Sequence, residues 1–520
     1  MASDHRMFAE TEPLLGSRRH TSDVPAPRPL SLLFATLCII DLFGVFPIIT
    51  LPRTIINCGW LGIPLALLLF SIQIYTAVLL GRCWLIAEKL QPTIVTKTRY
   101  PYAALADLTF GKKIRRLVTI LLDLTIFGAA VPNLLVASQN LQLVGLKMSH
   151  YEFNFSFCIW MVIIGVILSP IMWLGSPKDM NGLTAISVLI VLSVTLLTWI
   201  CMMSDTTVLP PFELPRPSWK KTAVAYGVLA FQFDIHPMIL TVQVDMKNKK
   251  KLGHAIAGGF LVTASLFIAT TLFAIFRYGS AVTSNVLQGL PASTPLYINV
   301  LLVTLQICLS TVVGVSPLFQ DLEDKLNISR EANWRRCVLR TCLLLSAILL
   351  GEIVPRFDLL MELIGGTLTG PLMFILPPLL YFKLRSMNSE VNSCNFEALF
   401  PENEKETVLR YTEVLNPKEA SAFREAIATH KLFSDTAYRR LEDDTTLSPP
   451  SPGCWRRLTE VIDNFLSLEG ATTVGPMTRF ELTVTIIIVT LGVIATLITT
   501  VFSLWDTIAY ANFYPPCILK

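Results

Sequence analysis

An all-α polytopic membrane protein is the fold class this sequence predicts, with eleven transmembrane helices built around an inverted repeat. Three observations predict it. The 520 residues are 52% hydrophobic and only 15% charged, with mean hydropathy +0.57, whereas an ordinary soluble domain carries about 25% charged residues. Apolar runs of spanning length, about 20 residues each, recur at approximately 30–56, 59–84, 117–144, 155–174, 182–204, 222–244, 255–278, 295–318, 337–355, 359–382 and 480–507. The first and sixth of these runs are broken by glycine, proline and acidic residues, the signature of two discontinuous helices in corresponding halves.

Loop charge sets the expected topology. Residues 1–29 are polar and lack the short apolar core of a signal peptide, so they are expected to stay in the cytosol. Lys89, Lys97, Arg99, Lys112, Lys113, Arg115 and Arg116 lie between the second and third runs. Lys247, Lys249, Lys250 and Lys251 follow the sixth, and Lys325, Arg330, Arg335 and Arg336 lie between the eighth and ninth. The loop after the third run has only Lys147, and the loop after the seventh has neither Lys nor Arg. Counting basic residues in short loops places the N-terminus inside, which puts the tail 508–520 on the opposite, luminal or extracellular, side. Asn154-Phe-Ser would face that side and could be glycosylated. Cys58 and Cys517 would face it too, and a disulfide between them is left open. The net charge of +4 gives no reason to expect nucleic acid.

Between the transport core (30–383) and the last run (480–507) lies a polar stretch, 384–479. It ends near a proline-rich linker, LSPPSPG, at Leu447 to Gly453. It reads as a largely disordered cytosolic insert, with one modest amphipathic helix over Pro417 to Leu432.

The two breaks carry the chemistry. The first run contains Asp41, Gly44, Pro47 and Pro52; the sixth contains Asp234, His236 and Pro237. Asp41 and Asp234 each lie eleven or twelve residues into their runs, which at 1.5 Å per residue is roughly 17 Å, near the middle of a 30 Å core. A charged side chain there costs roughly 2.5–3.5 kcal/mol on insertion scales, so such residues usually have a function. A broken helix also exposes backbone N–H and C=O groups that only protein, water or ligand can satisfy. Half-helix N-termini suit a carboxylate, while carbonyl ends or an acid suit an ammonium group. Gly44, Val45, Phe46, Pro47, Phe231, Phe233 and Ile235 are the expected substrate-binding residues. Asp41, Asp234 and His236 are the expected proton-coupling residues, His236 because an unperturbed imidazole changes charge near pH 6.5. A neutral His236 that merely braces the kink is the bland alternative. Thr304, Ser310 and Thr311 in the eighth run could instead offer hydroxyls to sodium, although packing explains them as well. Asp123 and Asn133 are read as interhelical hydrogen-bonding residues, and Gly366 to Gly370 (GTLTG) as a close-packing motif. Nothing calls for a cofactor, a metal or a catalytic centre.

Four stretches carry a family resemblance: LPRTIINCGWLG (Leu51 to Gly62), RYPYAALADLTFGKK (Arg99 to Lys113), AFQFDIHPMILTVQVDMKN (Ala230 to Asn248) and VPRFDLLMELIGGTLTGPLMFILPPLLY (Val354 to Tyr381). With these the chain resembles the amino acid/auxin permease family, which includes proton-coupled and vesicular amino acid transporters. The resemblance spans roughly 30–383 and 480–507, and the last stretch is the most specific. It implies the LeuT-type five-plus-five inverted repeat plus one helix, and secondary active amino acid transport. Asp41 stands where relatives often have Asn, Asp234 where many have a small residue, and the long insert is atypical. Substrate and coupling ion therefore do not carry over.

The tails speak to location. ETEPLLG (Glu10 to Gly16) matches the acidic dileucine pattern through Glu10, Leu14 and Leu15; YRRL offers a tyrosine-based match through Tyr438 and Leu441. Both suit clathrin adaptor proteins and point to a lysosomal or endosomal membrane, with the plasma membrane as alternative. The expectation is a proton-coupled transporter moving small or neutral amino acids to the cytosol. Sodium coupling, or an amino acid sensor signalling through 384–479, are the alternatives; the expected partners are the amino acid substrate, protons or sodium, membrane lipid and clathrin adaptor proteins.

Overall fold

The computed structural model describes residues 29–94, 100–150, 152, 155–173, 180–206, 214–329, 333–399, 463, 465–468 and 478–510. Among them the chain is helical throughout: α1 Leu32–Phe43, α2 Phe46–Ile49, α3 Leu51–Asn57, α4 Gly62–Leu90, α5 Pro101–Phe110, α6 Lys112–Met148, α7 Phe157–Trp173, α8 Met180–Ser204, α9 Trp219–Gln232 and α10 His236–Asp245. There follow α11 Leu252–Tyr278, α12 Val286–Gly289, α13 Thr294–Gly314, α14 Ser316–Lys325, α15 Trp334–Ile353, α16 Phe357–Ile364, α17 Leu376–Leu399 and α18 Arg479–Tyr510. Helix occupies each of the eleven apolar runs. Among the described residues eight helical stretches qualify by length and composition as spans, including 59–90, 112–148, 219–245, 357–391 and 479–509; 32–43 and 157–173 are shorter apolar helices.

The first and sixth runs are broken where the sequence predicts, and each restarts with proline in the first turn, Pro47 in α2 and Pro237 in α10. Proline suits that position because its missing N–H would be unsatisfied there anyway. The tenth run holds a discontinuity the sequence reading missed: Gly365–Thr369 and Pro371–Ile375 are π-helical. GTLTG lies inside it and is indeed closely packed, Gly366 on Thr499 and Gly370 on Thr496 of α18. Two boundaries also differ. The tenth helix continues to Leu399, past the expected start of the insert at 384. The stretch expected as a loop around Tyr100 contains α5, opened by Pro101.

The breaks lie at the centre of the bundle. α1 packs on α11 and α8, α9 on α16 and α18, and α13 on α6 and α8. Behind them Phe43, Phe70, Phe233, Phe260 and Phe267 form one aromatic cluster, with ring centroids 4.3–6.2 Å apart for Phe233 and its four partners. Such pairs add roughly 0.5–1.5 kcal/mol each beyond area burial. α18 covers the edge and leaves Ile486, Leu491, Leu497, Val501 and Trp505 outward, as suits a helix whose solvent is hydrocarbon. A two-residue bridge ties the start of the first broken helix to the end of the second: Leu30 N–H donates to Asp245 O (2.8 Å), and Lys247 N–H to Leu30 O (2.9 Å).

Cys58 is a free thiol buried beside the Lys221 carbonyl, which removes the pairing with Cys517 considered above. Cys158 is the disulfide-bonded cysteine among the described ones. Cys517, the residues expected to act in sorting (Glu10, Leu14, Leu15, Tyr438 and Leu441), the expected glycosylation acceptor Asn154 and the stretch 417–432 expected as an amphipathic helix lie outside the described residues. Part of the insert is described, and it is docked: Asp463 and Phe465 to Leu468 lie against α4 and α11.

Candidate functional site

Both breaks open onto one cavity of about 200 Å³, smaller than the ~300–1,000 Å³ of pockets for drug-sized ligands. Asp41, Gly44, Phe46, Phe231, Asp234, Ser310 and Thr311 line it. Val45, Pro47, Phe233, Ile235, His236 and Thr304 do not. Phe233 is held in the aromatic cluster, and Ile235 and Val45 are buried in the core. Their backbone shapes the breaks; their side chains are the packing behind them.

At the first break α1 ends at Phe43, and Gly44 adopts φ +60°, ψ −150°, a conformation essentially confined to glycine. A Cβ there would also lie 2.9 Å from Gln306 Nε2. The chain restarts around the Val45 carbonyl, which accepts from Ile48 N–H (3.1 Å) and Ile49 N–H (3.3 Å). One turn before the break, Asp41 accepts a short hydrogen bond from the Ser187 hydroxyl of α8, and Ser187 accepts from Gln306 Nε2 of α13 at 3.4 Å. This polar chain crosses three helices.

At the second break Asp234 caps α10, its Oδ1 accepting from His236 N–H at 3.3 Å. The cap occupies the half-helix N-terminus that the sequence reading offered to substrate carboxylate. His236 is fully enclosed. Its Nε2 lies 3.1 Å from Thr76 Oγ1, whose hydroxyl is directed at the carbonyls of Ile72 and Gln73. That network assigns the ring proton to Nε2. Nδ1, with no hydrogen-bond partner among the described residues, lies 3.9 Å from Asp234 Oδ1.

Gln232 spans the same break, donating to Thr50 Oγ1 (3.3 Å) on the first broken helix and to Met361 Sδ (2.8 Å) on α16. Sequence reasoning missed Thr76, Ser187, Gln232 and Gln306. Two of the three hydroxyls proposed for sodium are engaged: Thr304 donates to Val300 O and Thr311 to Ile307 O, while Thr311 also accepts from Asn133 Nδ2 at 3.1 Å. Asp123 accepts from Tyr100 and pairs with Lys325 at 2.9 Å, the interhelical role expected for it. Among the described residues no cluster of His, Cys, Asp or Glu is placed to hold a metal ion.

The chain matches known transporters. The family model described as transmembrane amino acid transporter protein covers residues 31–399. The amino acid transporter AVT1D of Arabidopsis thaliana is 24% identical over 401 residues, 73% of this chain and 69% of that one. The vacuolar amino acid transporter 3 of Saccharomyces cerevisiae is 23% identical over 380 residues, 69% of this chain and 52% of its own. Among solved structures, MhsT in complex with L-phenylalanine aligns over 88% of this chain and 98% of its own, at 11% identity and a TM-score of 0.47. With the family model matched over most of its length and both discontinuous helices in place, the chain belongs to the transmembrane amino acid transporter protein family and is a multi-pass membrane protein.

Proposed function

We propose that this protein is a proton-coupled transporter that moves small or neutral amino acids from an acidic organelle into the cytosol. The observation that carries the reading is the meeting of two acceptor atoms, His236 Nδ1 and Asp234 Oδ1, in a buried site at the broken sixth helix. Two lone pairs face each other there unless one proton sits on the pair, and a site that holds one proton in one conformation and releases it in another is what coupling requires. Asp41, tied through Ser187 to Gln306 beside Gly44, is the acid available to the substrate ammonium or to a second proton. The cavity volume favours a small solute. The vacuolar name of the yeast relative, with the dileucine motif at Glu10, Leu14 and Leu15, supports an acidic compartment.

Uptake into reconstituted vesicles should follow an imposed proton gradient and be indifferent to sodium. Full activity with sodium alone at symmetric pH would overturn proton coupling and return attention to Ser310 and Thr311.

A further inference from the structure

A further acid is buried in the bundle, away from the cavity. Glu362 lies on α16, its side chain 2% exposed, and its Oε1 has no hydrogen-bond partner among the described residues. Its seam is built without space. A Cβ on Gly227 of α9 would meet the Glu362 carbonyl at 2.6 Å, and a Cβ on Gly365 would meet the Gly227 carbonyl at 1.8 Å. The backbones of α9 and α16 are therefore in direct contact at Glu362.

The charged groups that act on it are Asp506 of α18, Asp358 of α16, Lys220 of α9 and Arg356. Lys220 pairs with Asp506 at 2.8 Å and Arg356 with Asp358 at 2.6 Å. No cation pairs with Glu362 among the described residues. A buried ionised carboxyl without a counter-ion or full hydrogen bonding is strongly disfavoured.

Two features connect this acid to the transport cycle. Met361, its neighbour in the chain, accepts from Gln232 at the edge of the sixth-helix break. The π-helical turns begin three residues later, at Gly365, and such turns are frequent at functional sites and hinges.

We infer that Glu362 is a second proton-binding group of the cycle, separate from the Asp234–His236 pair. It keeps its proton while α9 and α16 are in contact. When the two helices part and water enters the seam, the carboxyl O–H bond breaks, the proton passes to that water, and the carboxylate remains until it is reprotonated. The inference rests on proton coupling as proposed above.

The test uses the full-length protein in liposomes, comparing Glu362→Gln and Glu362→Asp with wild type in proton-driven accumulation and in substrate-for-substrate exchange. Glu362→Gln should reduce accumulation by about tenfold, within the 5–150-fold range of ordinary coupling energies, and flatten its pH profile while exchange continues. Glu362→Asp, which retains a titratable group, should recover the pH profile. Wild-type accumulation and pH profile in Glu362→Gln would overturn this inference alone. Loss of exchange in Glu362→Gln without recovery in Glu362→Asp would make the residue a packing element and overturn it too. A wild-type protein indifferent to the gradient would overturn both this inference and the proton coupling beneath it.

Discussion

His236 Nδ1 lies 3.9 Å from Asp234 Oδ1, while Nε2 of the same ring is held 3.1 Å from Thr76 on α4. The ring thus links α4 to α10, the second half of the broken sixth run. His236→Gln keeps a hydrogen-bonding group of similar reach toward Thr76. Removing the ring's half of the pair with Asp234 should flatten the pH dependence of transport. Asp234→Asn removes the charge and retains the cap on α10. It should abolish proton-driven accumulation yet leave measurable exchange, because exchange need not return an empty, deprotonated carrier. Accumulation at the wild-type level in Asp234→Asn would remove this acid from the proton path and leave Asp41 as the stronger candidate.

Gly44→Ala tests the first break without altering any polar group. The residue holds φ +60°, so alanine must accept an unfavourable backbone, at roughly 1–3 kcal/mol for a sparsely populated region. Its Cβ would also displace Gln306 and disturb the Ser187–Asp41 chain. The expected result is transport reduced by at least about tenfold, the equivalent of 1.4 kcal/mol, in protein that still reaches the membrane. Transport at the wild-type level would mean that the break tolerates a regular conformation and does not shape the site.

The breaks were legible because their causes are local. Gly44, Pro47 and Pro237 break the helix through their own backbone preferences, and Asp41 and Asp234 stand out against an apolar run. Residues whose roles depend on partners elsewhere in the chain were not legible. Ser187 resembles any small residue of an apolar helix until α1 places Asp41 against it, and Gln306 and Thr76 likewise acquire meaning only from Gly44 and His236. Phe233 and Ile235 were assigned to substrate because they sit in the break, but position along the chain does not give the direction of a side chain, and the aromatic cluster claims Phe233. Glu362 lay within the most specific family motif yet drew no attention. It is one polar residue among apolar ones, and its lack of a counter-ion appears only once α9 and α18 are packed around it.

The docked end of the insert leads to the last prediction. Arg82 of α4 donates to the Phe465 carbonyl at 2.8 Å and lies 4.8 Å from the centroid of its ring. Tyr75 stacks with that ring at 5.6 Å between centroids, with 3° between the planes. His254 of α11 lies 2.8 Å from Asp463, and Leu468 is 1% exposed. Gly253 leaves the space this docking needs, since a Cβ there would come 2.2 Å from the Leu466 carbonyl. Gly253→Val should therefore expel the segment while leaving α11 helical, because valine costs a helix less than glycine does. Limited chymotrypsin digestion of the purified protein should then cut at Phe465 several-fold faster than in wild type. Arg82→Ala, which keeps the Phe465 cleavage site, should speed the same cut by about two- to fivefold, the equivalent of the 0.5–1 kcal/mol of an exposed cation–π contact. A cleavage rate unchanged by Gly253→Val would show that 463–468 is not held by the cleft between α4 and α11. Faster cleavage with unchanged transport would make the contact an anchor for the insert, and faster cleavage with altered transport would make the insert a regulator of the core.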